Sequence, residues 1–277
     1  MERRNFAQIL KEAKIDIRRE YDRLYGLFYL NKSYQINNCV GSLREYCAYY
    51  FYSLPFCGTC LTLDDFDDFY GFSFEKNPKD FDLNYLLLFC EYTYNVAVYI
   101  NPMEWSQTNA LILYGALSPQ QYVLQLMKVV EAIGYMITKE DDSDSMAIIV
   151  PKVPEAIAVA EISDSKIAYN IIEYNHYALK GNLDKKQSIL RALTYDIENK
   201  RSELRNISSP VESELFQLTN KFIRHNNEEN QFISNMTPEE IENVYDDIYQ
   251  MWLLAKLELD NVERKKRAKK LLGNMNG

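Results

Sequence analysis

Three segments of the chain repeat one short pattern, and it fixes where helices begin. Ser118-Pro119-Gln120-Gln121, Ser209-Pro210-Val211-Glu212 and Thr237-Pro238-Glu239-Glu240 each place Ser or Thr before Pro, with Gln or Glu three positions after the hydroxyl residue. In a capping box the hydroxyl accepts a hydrogen bond from the third residue's N–H, and that residue's side chain returns to the cap N–H. Pro suits the first helical position because the amide hydrogen it lacks would have had no partner there. Ser42-Leu43-Arg44-Glu45 repeats the box without Pro. With only 9 Gly and 8 Pro among 277 residues, the chain is short of the tight turns a β-sandwich needs. A mainly α fold is predicted.

Apolar spacing extends the reading between these starts. Residues 5–29 carry helical periodicity through Phe6, Ile9, Leu10, Ile17, Tyr21, Leu24 and Phe28, with Asp16 placed to restart the helix. Residues 42–53 read as a short aromatic helix, and Leu63–Tyr70 as another, capped by Thr62. Residues 83–100 are strongly apolar but too short for a bilayer, so they read as a buried core helix. Residues 118–133 are amphipathic. The period then changes: 135–138 and 146–150 flank the polar run 139–145 and predict a small β-hairpin over about 135–150. A helix followed by a hairpin is the layout of a winged helix, and the acidic tip of this one argues against reading DNA with it.

Pro151-Lys152-Val153-Pro154 marks the expected boundary, giving a mostly helical domain over 1–152 and a second over 153–277. Four helices are expected in the second: 155–179, stopped by Gly181-Asn182; 184–205; one opening at Ser209; and one opening at Thr237 and running to Gly273. The last carries Ile241, Val244, Tyr245, Ile248, Met251, Trp252, Ala255 and Leu259 on one face. Such faces must cover one another, which predicts an antiparallel four-helix bundle.

Charge and cysteine usage narrow the function. A formal net charge of −9 gives no global attraction to nucleic acid, so any such contact needs a local basic patch. The residues after Met1 form no apolar signal core, and no run of about eighteen apolar residues occurs, so neither secretion nor a membrane span is expected. Five cysteines are an odd number, expected as reduced thiols in the cytoplasm. Twenty-two tyrosines suit half-buried surfaces and a protein partner of the N-terminal half.

Four clusters carry candidate chemistry. Cys57-Gly58-Thr59-Cys60 has redox or metal spacing, but no βαβ pattern and no second pair accompany it, so small buried thiols in a turn are the default. Asp64-Asp65-Phe66-Asp67-Asp68 lacks the Gly and the closing Glu of a calcium loop and reads as a dipole-favoured first helical turn. Neither a metal nor a cofactor is expected. Arg264, Lys265, Lys266, Arg267, Lys269 and Lys270 form a basic helix end suited to RNA or to an acidic partner, or simply a solvated terminus beside the helix dipole. Arg224, His225, Asn226 and Asn227 offer a fixed cation, a titratable imidazole and two amides, a set that suits a phosphate, or else a polar helix end with Asn caps. The second histidine, His176, lies near the end of the first bundle helix, where an approach to Arg224 or His225 is a further possibility.

The run from His176 through Gly181-Asn182 to Leu190, the segment Phe222-Ile223-Arg224-His225-Asn226-Asn227 and the aromatic last helix through Tyr249 and Trp252 together resemble one known family. It is that of bacterial abortive-infection-like proteins with a HEPN-type C-terminal bundle, over residues 153–270. The resemblance implies phage defence and, in active members, metal-independent RNA cleavage by an Arg followed four to six residues later by a His. Arg224 and His225 would be the catalytic pair, Asn226, Asn227 and the 264–270 cations the RNA contacts. Here His225 is adjacent to Arg224, and the expected partner positions hold Glu229, Asn230 and Gln231. Two readings follow: a site rebuilt around Arg224-His225, shared across a homodimer, or a non-catalytic helical scaffold that binds a protein partner or itself.

Overall fold

The computed structural model describes residues 15–36, 39–99, 111–112, 117–141, 145–224 and 231–275. It is mainly α, with two small sheets, and divides into two compact units, 1–149 and 150–277.

Helix α1 (Ile17–Tyr25) starts where Asp16 accepts the N–H groups of Arg18 and Arg19, and it passes into a π-helical turn, Gly26–Leu30. The expected residues 5–14 of this helix lie outside the described residues. Next come β1 (Tyr34–Ile36) and β2 (Cys39–Gly41), which with β3 (Leu111–Ile112) form an antiparallel sheet in the order β2-β1-β3, pairing Gln35 with Val40 and Leu111. Periodicity missed this sheet because strands of two or three residues are too short to display alternation.

Helices α2 (Leu43–Tyr49) and α3 (Leu63–Tyr70) open on complete capping boxes at Ser42 and Thr62. Helix α3 stops at Gly71, whose φ of 72° is a left-handed cap that residues with a Cβ adopt only at a cost. Helix α4 (Leu83–Val98) is capped by Asp82, and α5 (Pro119–Ala132) has the Ser118–Gln121 box. Strands β4 (Tyr135–Thr138) and β5 (Ile148–Pro151) form the two-stranded sheet expected near 135–150.

The core of the first unit is aromatic. Tyr21 lies 5.0–5.5 Å, ring centre to centre, from Phe81, Tyr85 and Phe89, and Phe28 packs on Tyr122 at 5.6 Å. Buried phenols need partners. Tyr21 donates to the Glu75 carbonyl at 2.5 Å, Tyr34 to the Leu117 carbonyl, and Tyr92 to the Asp67 carboxylate at 2.6 Å. Asp67 and Asp64 also share the guanidinium of Arg44.

In the second unit two of the expected long helices are broken. Segment 155–179 becomes α6 (Pro154–Ala160), α7 (Ser165–Glu173) and a 3₁₀ turn, Tyr177–Leu179, because Asp164 accepts the Ile167 N–H and starts a new helix. Segment 184–205 becomes α8 (Leu183–Glu198) and α9 (Arg201–Ile207). Helix α10 (Ser209–Thr219) starts where its Pro predicts, but Ser209 makes no cap. The Glu212 carboxylate that would have returned to it is buried between Arg201 at 2.5 Å and Arg205 at 2.9 Å. Two guanidinium partners outweigh one amide. A π-helical turn, Asn220–Arg224, extends α10; then come the short α11 (Gln231–Ser234) and α12 (Pro238–Met275).

At 38 residues α12 is about 57 Å long. Its stripe Tyr245, Ile248, Tyr249, Trp252, Ala255 and Leu259 is buried. Helix α8 runs parallel to it: Lys186 meets Glu242 and Asp246, the Leu193 carbonyl takes the Trp252 indole N–H at 2.6 Å, and Asp196 pairs with Lys256. Helix α7 runs against it, with Tyr174 donating to Asp246 and Tyr249 to the Ile171 carbonyl, both at 2.8 Å.

Two expectations follow. Trp252→Ala removes the largest fully buried side chain among the described residues and its hydrogen bond, and should lower the stability of the second unit by about 3–5 kcal/mol in urea unfolding. The second concerns acid. Arg205 and then Arg201 hold the Glu212 carboxyl down to about 2, from its ordinary 4.5. A depressed carboxyl stabilises the fold above its unfolded-state pKa and loses that contribution as pH falls toward its folded pKa. The urea midpoint should therefore drop between about pH 4.5 and 2, and Glu212→Gln should flatten that slope while lowering the midpoint at neutral pH.

Candidate functional site

Arg224 ends the π-helical turn that extends α10. That turn buries the consecutive residues Phe222 and Ile223, and π turns of this kind are frequent at functional positions. Its last carbonyls point at α8, where Gln187 Nε2 donates to the Phe222 carbonyl at 3.1 Å and Arg191 Nε to the Ile223 carbonyl at 2.8 Å. Side-chain donors thus satisfy groups that a helix end leaves unpartnered. This fixes the backbone of Arg224 while its guanidinium stays about one third exposed and pairs with Glu198 at 2.7 Å.

The guanidinium lines an open concavity of about 250 Å³ formed by Arg191, Thr194, Tyr195, Glu198, Thr219, Ile223 and Arg224. Tyr195 is 81% exposed there. Arg191 spends only Nε on the Ile223 carbonyl, which leaves its two terminal nitrogens without a partner among the described residues. Two guanidinium groups, one of them compensated by a carboxylate, and an exposed aromatic ring therefore share one hollow. Such a hollow can hold a phosphate and stack a base.

His225, Asn226 and Asn227, expected beside Arg224, lie outside the described residues. His176 does not line the hollow; it precedes the 3₁₀ turn, with its ring 4.4 Å from that of Tyr177. Arg191, Tyr195 and Glu198 were not singled out in the sequence. They follow i, i+4, i+7 spacing on α8, the signal of one helix face, and a tyrosine on an otherwise polar face was the available clue.

The basic end of α12 is exposed at Arg264, Lys265, Lys266, Arg267, Lys269 and Lys270. Arg264 pairs with Asp260 one turn back, and Lys266 with Glu263 at 2.7 Å. Those pairs hold both cations above their ordinary pKa values, chiefly through the hydrogen bonds. Lys265, Lys269 and Lys270 have no counter-ion among the described residues, while Arg267 acts together with Lys266 on the Glu263 carboxylate one turn back and helps to lower its pKa. Lys265 and Lys269 share one face by i, i+4 spacing and Arg267 and Lys270 another by i, i+3, so positive charge surrounds this stretch instead of lining one side.

Cys57 and Cys60 are free, half-buried thiols joined by a turn in which the Cys60 N–H donates to the Cys57 carbonyl at 3.0 Å. Asp64 and Asp65 sit in the first turn of α3, and Asp65 closes its capping box. Among the described residues no group of three or more His, Cys, Asp or Glu is placed to hold a metal ion, and no helix is long and apolar enough to cross a membrane.

No family model matches this chain, and no match was found among characterised proteins or solved structures.

The Arg224–Glu198 pair is exposed, and exposed pairs contribute about 0–1 kcal/mol. Glu198→Gln should therefore leave the thermal midpoint within about 5 °C of wild type while freeing the Arg224 guanidinium. A large loss of stability would mean that the pair is a structural strut.

Proposed function

We propose that the second unit is an RNA-contacting, HEPN-like module of an abortive-infection protein that acts against phage. The observation that carries this reading is the hollow in which Arg191, Arg224 and the exposed Tyr195 converge directly before His225. Tyr195 stacks a base, and Arg191 and Arg224 hold the adjacent phosphate, whose oxygens displace Glu198 from Arg224. His225 accepts the proton of the attacking ribose 2′-hydroxyl or returns one to the leaving oxygen, and Arg224 stabilises the charge that develops on phosphorus. Asn226 and Asn227 add amide donors. Lys265, Arg267, Lys269 and Lys270 attract the flanking backbone without reading its sequence.

One observation favours the second reading, a non-catalytic helical scaffold that binds a protein partner or another copy. The Arg224 guanidinium already has a carboxylate partner in Glu198, a satisfied arrangement that needs no ligand.

Cleavage of single-stranded RNA by the purified protein with EDTA present separates the two. The proposal expects metal-independent cleavage that falls by two or more orders of magnitude in His225→Ala and Arg224→Ala. RNA binding should weaken with salt, and the salt slope should shallow when Lys269 and Lys270 are changed to Gln. A dilution series reads whether activity requires a homodimer. Equal cleavage by wild type and His225→Ala, or none by either, would sink the ribonuclease reading. Salt-dependent binding without cleavage would leave a binding module.

A further inference from the structure

The first unit carries a concave surface that the RNA reading does not use. An apolar hole of about 130 Å³ opens between α3, α4 and the segment entering β5, walled by Phe66, Phe72, Leu88, Tyr92, Val96 and Met146. Two large apolar side chains stand exposed at this hole, Leu88 at 39% and Met146 at 50%. The walls are fixed. The Asn95 side chain donates to the Ala147 carbonyl and accepts from the Ala147 N–H, both at 2.8 Å, and the Glu91 carboxylate takes the Ile149 N–H at 2.7 Å. Hydrogen bonds across that seam keep the hole from collapsing, and preformed apolar concavities of this kind are where proteins receive ligands.

Phe72 also lines a second, polar concavity of about 630 Å³, and Tyr92, a wall of the first, donates to Asp67 of the second. Four carboxylates line this polar side, Glu45, Asp64, Asp67 and Asp68, against two cations, Lys32 and Arg44. Lys32 pairs with Glu45, and Arg44 is shared by Asp64 and Asp67. Asp68 is exposed and has no cation partner among the described residues. The surface thus joins a hole for one aliphatic or aromatic side chain to a cleft with a net excess of negative charge. The exposed ring of Tyr70 on α3, 4.7 Å from that of Phe66, extends it beyond the size of a small ligand.

We propose that this surface docks a basic segment of a partner protein, which inserts one aliphatic side chain into the hole between Leu88 and Met146 and sets a neighbouring Lys or Arg beside Asp68. Charge complementarity selects the segment and the apolar anchor supplies most of its affinity. The inference is independent of RNA cleavage, because every residue it uses lies in the first unit.

The test is fluorescence anisotropy of the full-length protein with a labelled Arg-Lys-Leu-Leu-Lys-Arg peptide. Saturable binding is expected. It should weaken about tenfold or more when Ser replaces both Leu, when Glu replaces the basic residues, and in the Asp68→Lys and Leu88→Asp variants. Both substituted positions are exposed, so thermal midpoints should stay near wild type; if Leu88→Asp unfolds, Leu88→Ser reads the same contact. Three results overturn the proposal: no saturable binding; equal binding of the Leu and Ser peptides, which is charge attraction alone; or binding unmoved by both Asp68→Lys and the Leu88 substitution. Displacement of the peptide by a short-chain alkylammonium ion at equal concentration would assign the surface to a small amphiphile and likewise overturn it.

Discussion

The apolar stripe of α12 from Tyr245 to Leu259 has to be covered, and most of the second unit is arranged to do so. Trp252 lies at its centre, fully buried, with its indole N–H on the Leu193 carbonyl. That bond fastens α8 to α12 in parallel register, and Lys186 and Lys256 repeat the register toward either end. Once Leu190, Leu193 and Ile197 face α12, Arg191, Tyr195 and Glu198 must face away. The hollow around Arg224 follows from that geometry, because Gln187 and Arg191 of the same helix grip the carbonyls of the turn that carries it. The candidate site is therefore set by the pairing of α8 with α12.

Charges inside the second unit help to fix how its helices pair. Lys186, with its side chain 8% exposed, lies between Glu242 and Asp246 and 5.0 Å from the centre of the Tyr174 ring. Glu212 lies between two arginines. Removing charges from water is costly, and their attraction repays it only when the geometry is fully satisfied, so a shifted helix register that left Lys186 or Glu212 buried and unpaired would be penalised. The break between α8 and α9 turns the chain so that Arg201 and Arg205 both reach Glu212.

The legible part of the fold was written in local chemistry. Ser42, Thr62, Ser118 and Thr237 start helices where they should, because a cap is a contact among four consecutive residues. The Ser209 box failed for a reason no local rule contains: Glu212 found two arginines 7 and 11 residues away in sequence. At Ser163-Asp164 and Asn199-Lys200 apolar periodicity continued past the end of the backbone helix and masked the break, although at Asp164 the cap that restarts the helix is itself local. The three-stranded sheet was hidden by strand length. At the site, Arg224 was legible as a cation in a polar run, whereas Arg191, Tyr195 and Glu198 became visible only once two helices were laid side by side. The paired concavities of the first unit draw on residues from 29 to 148 and left no sequence signature.

Helix α12 has two halves with different duties, a buried spine to Leu259 and a solvated cationic stretch from Arg264. Native-state hydrogen exchange along this one helix tests it most directly. Amides from Tyr245 to Leu259 should exchange only through global unfolding of the second unit, and those from Arg264 to Leu272 orders of magnitude faster. Uniform protection along the helix, or rapid exchange around Trp252, would show that α12 is not divided in this way.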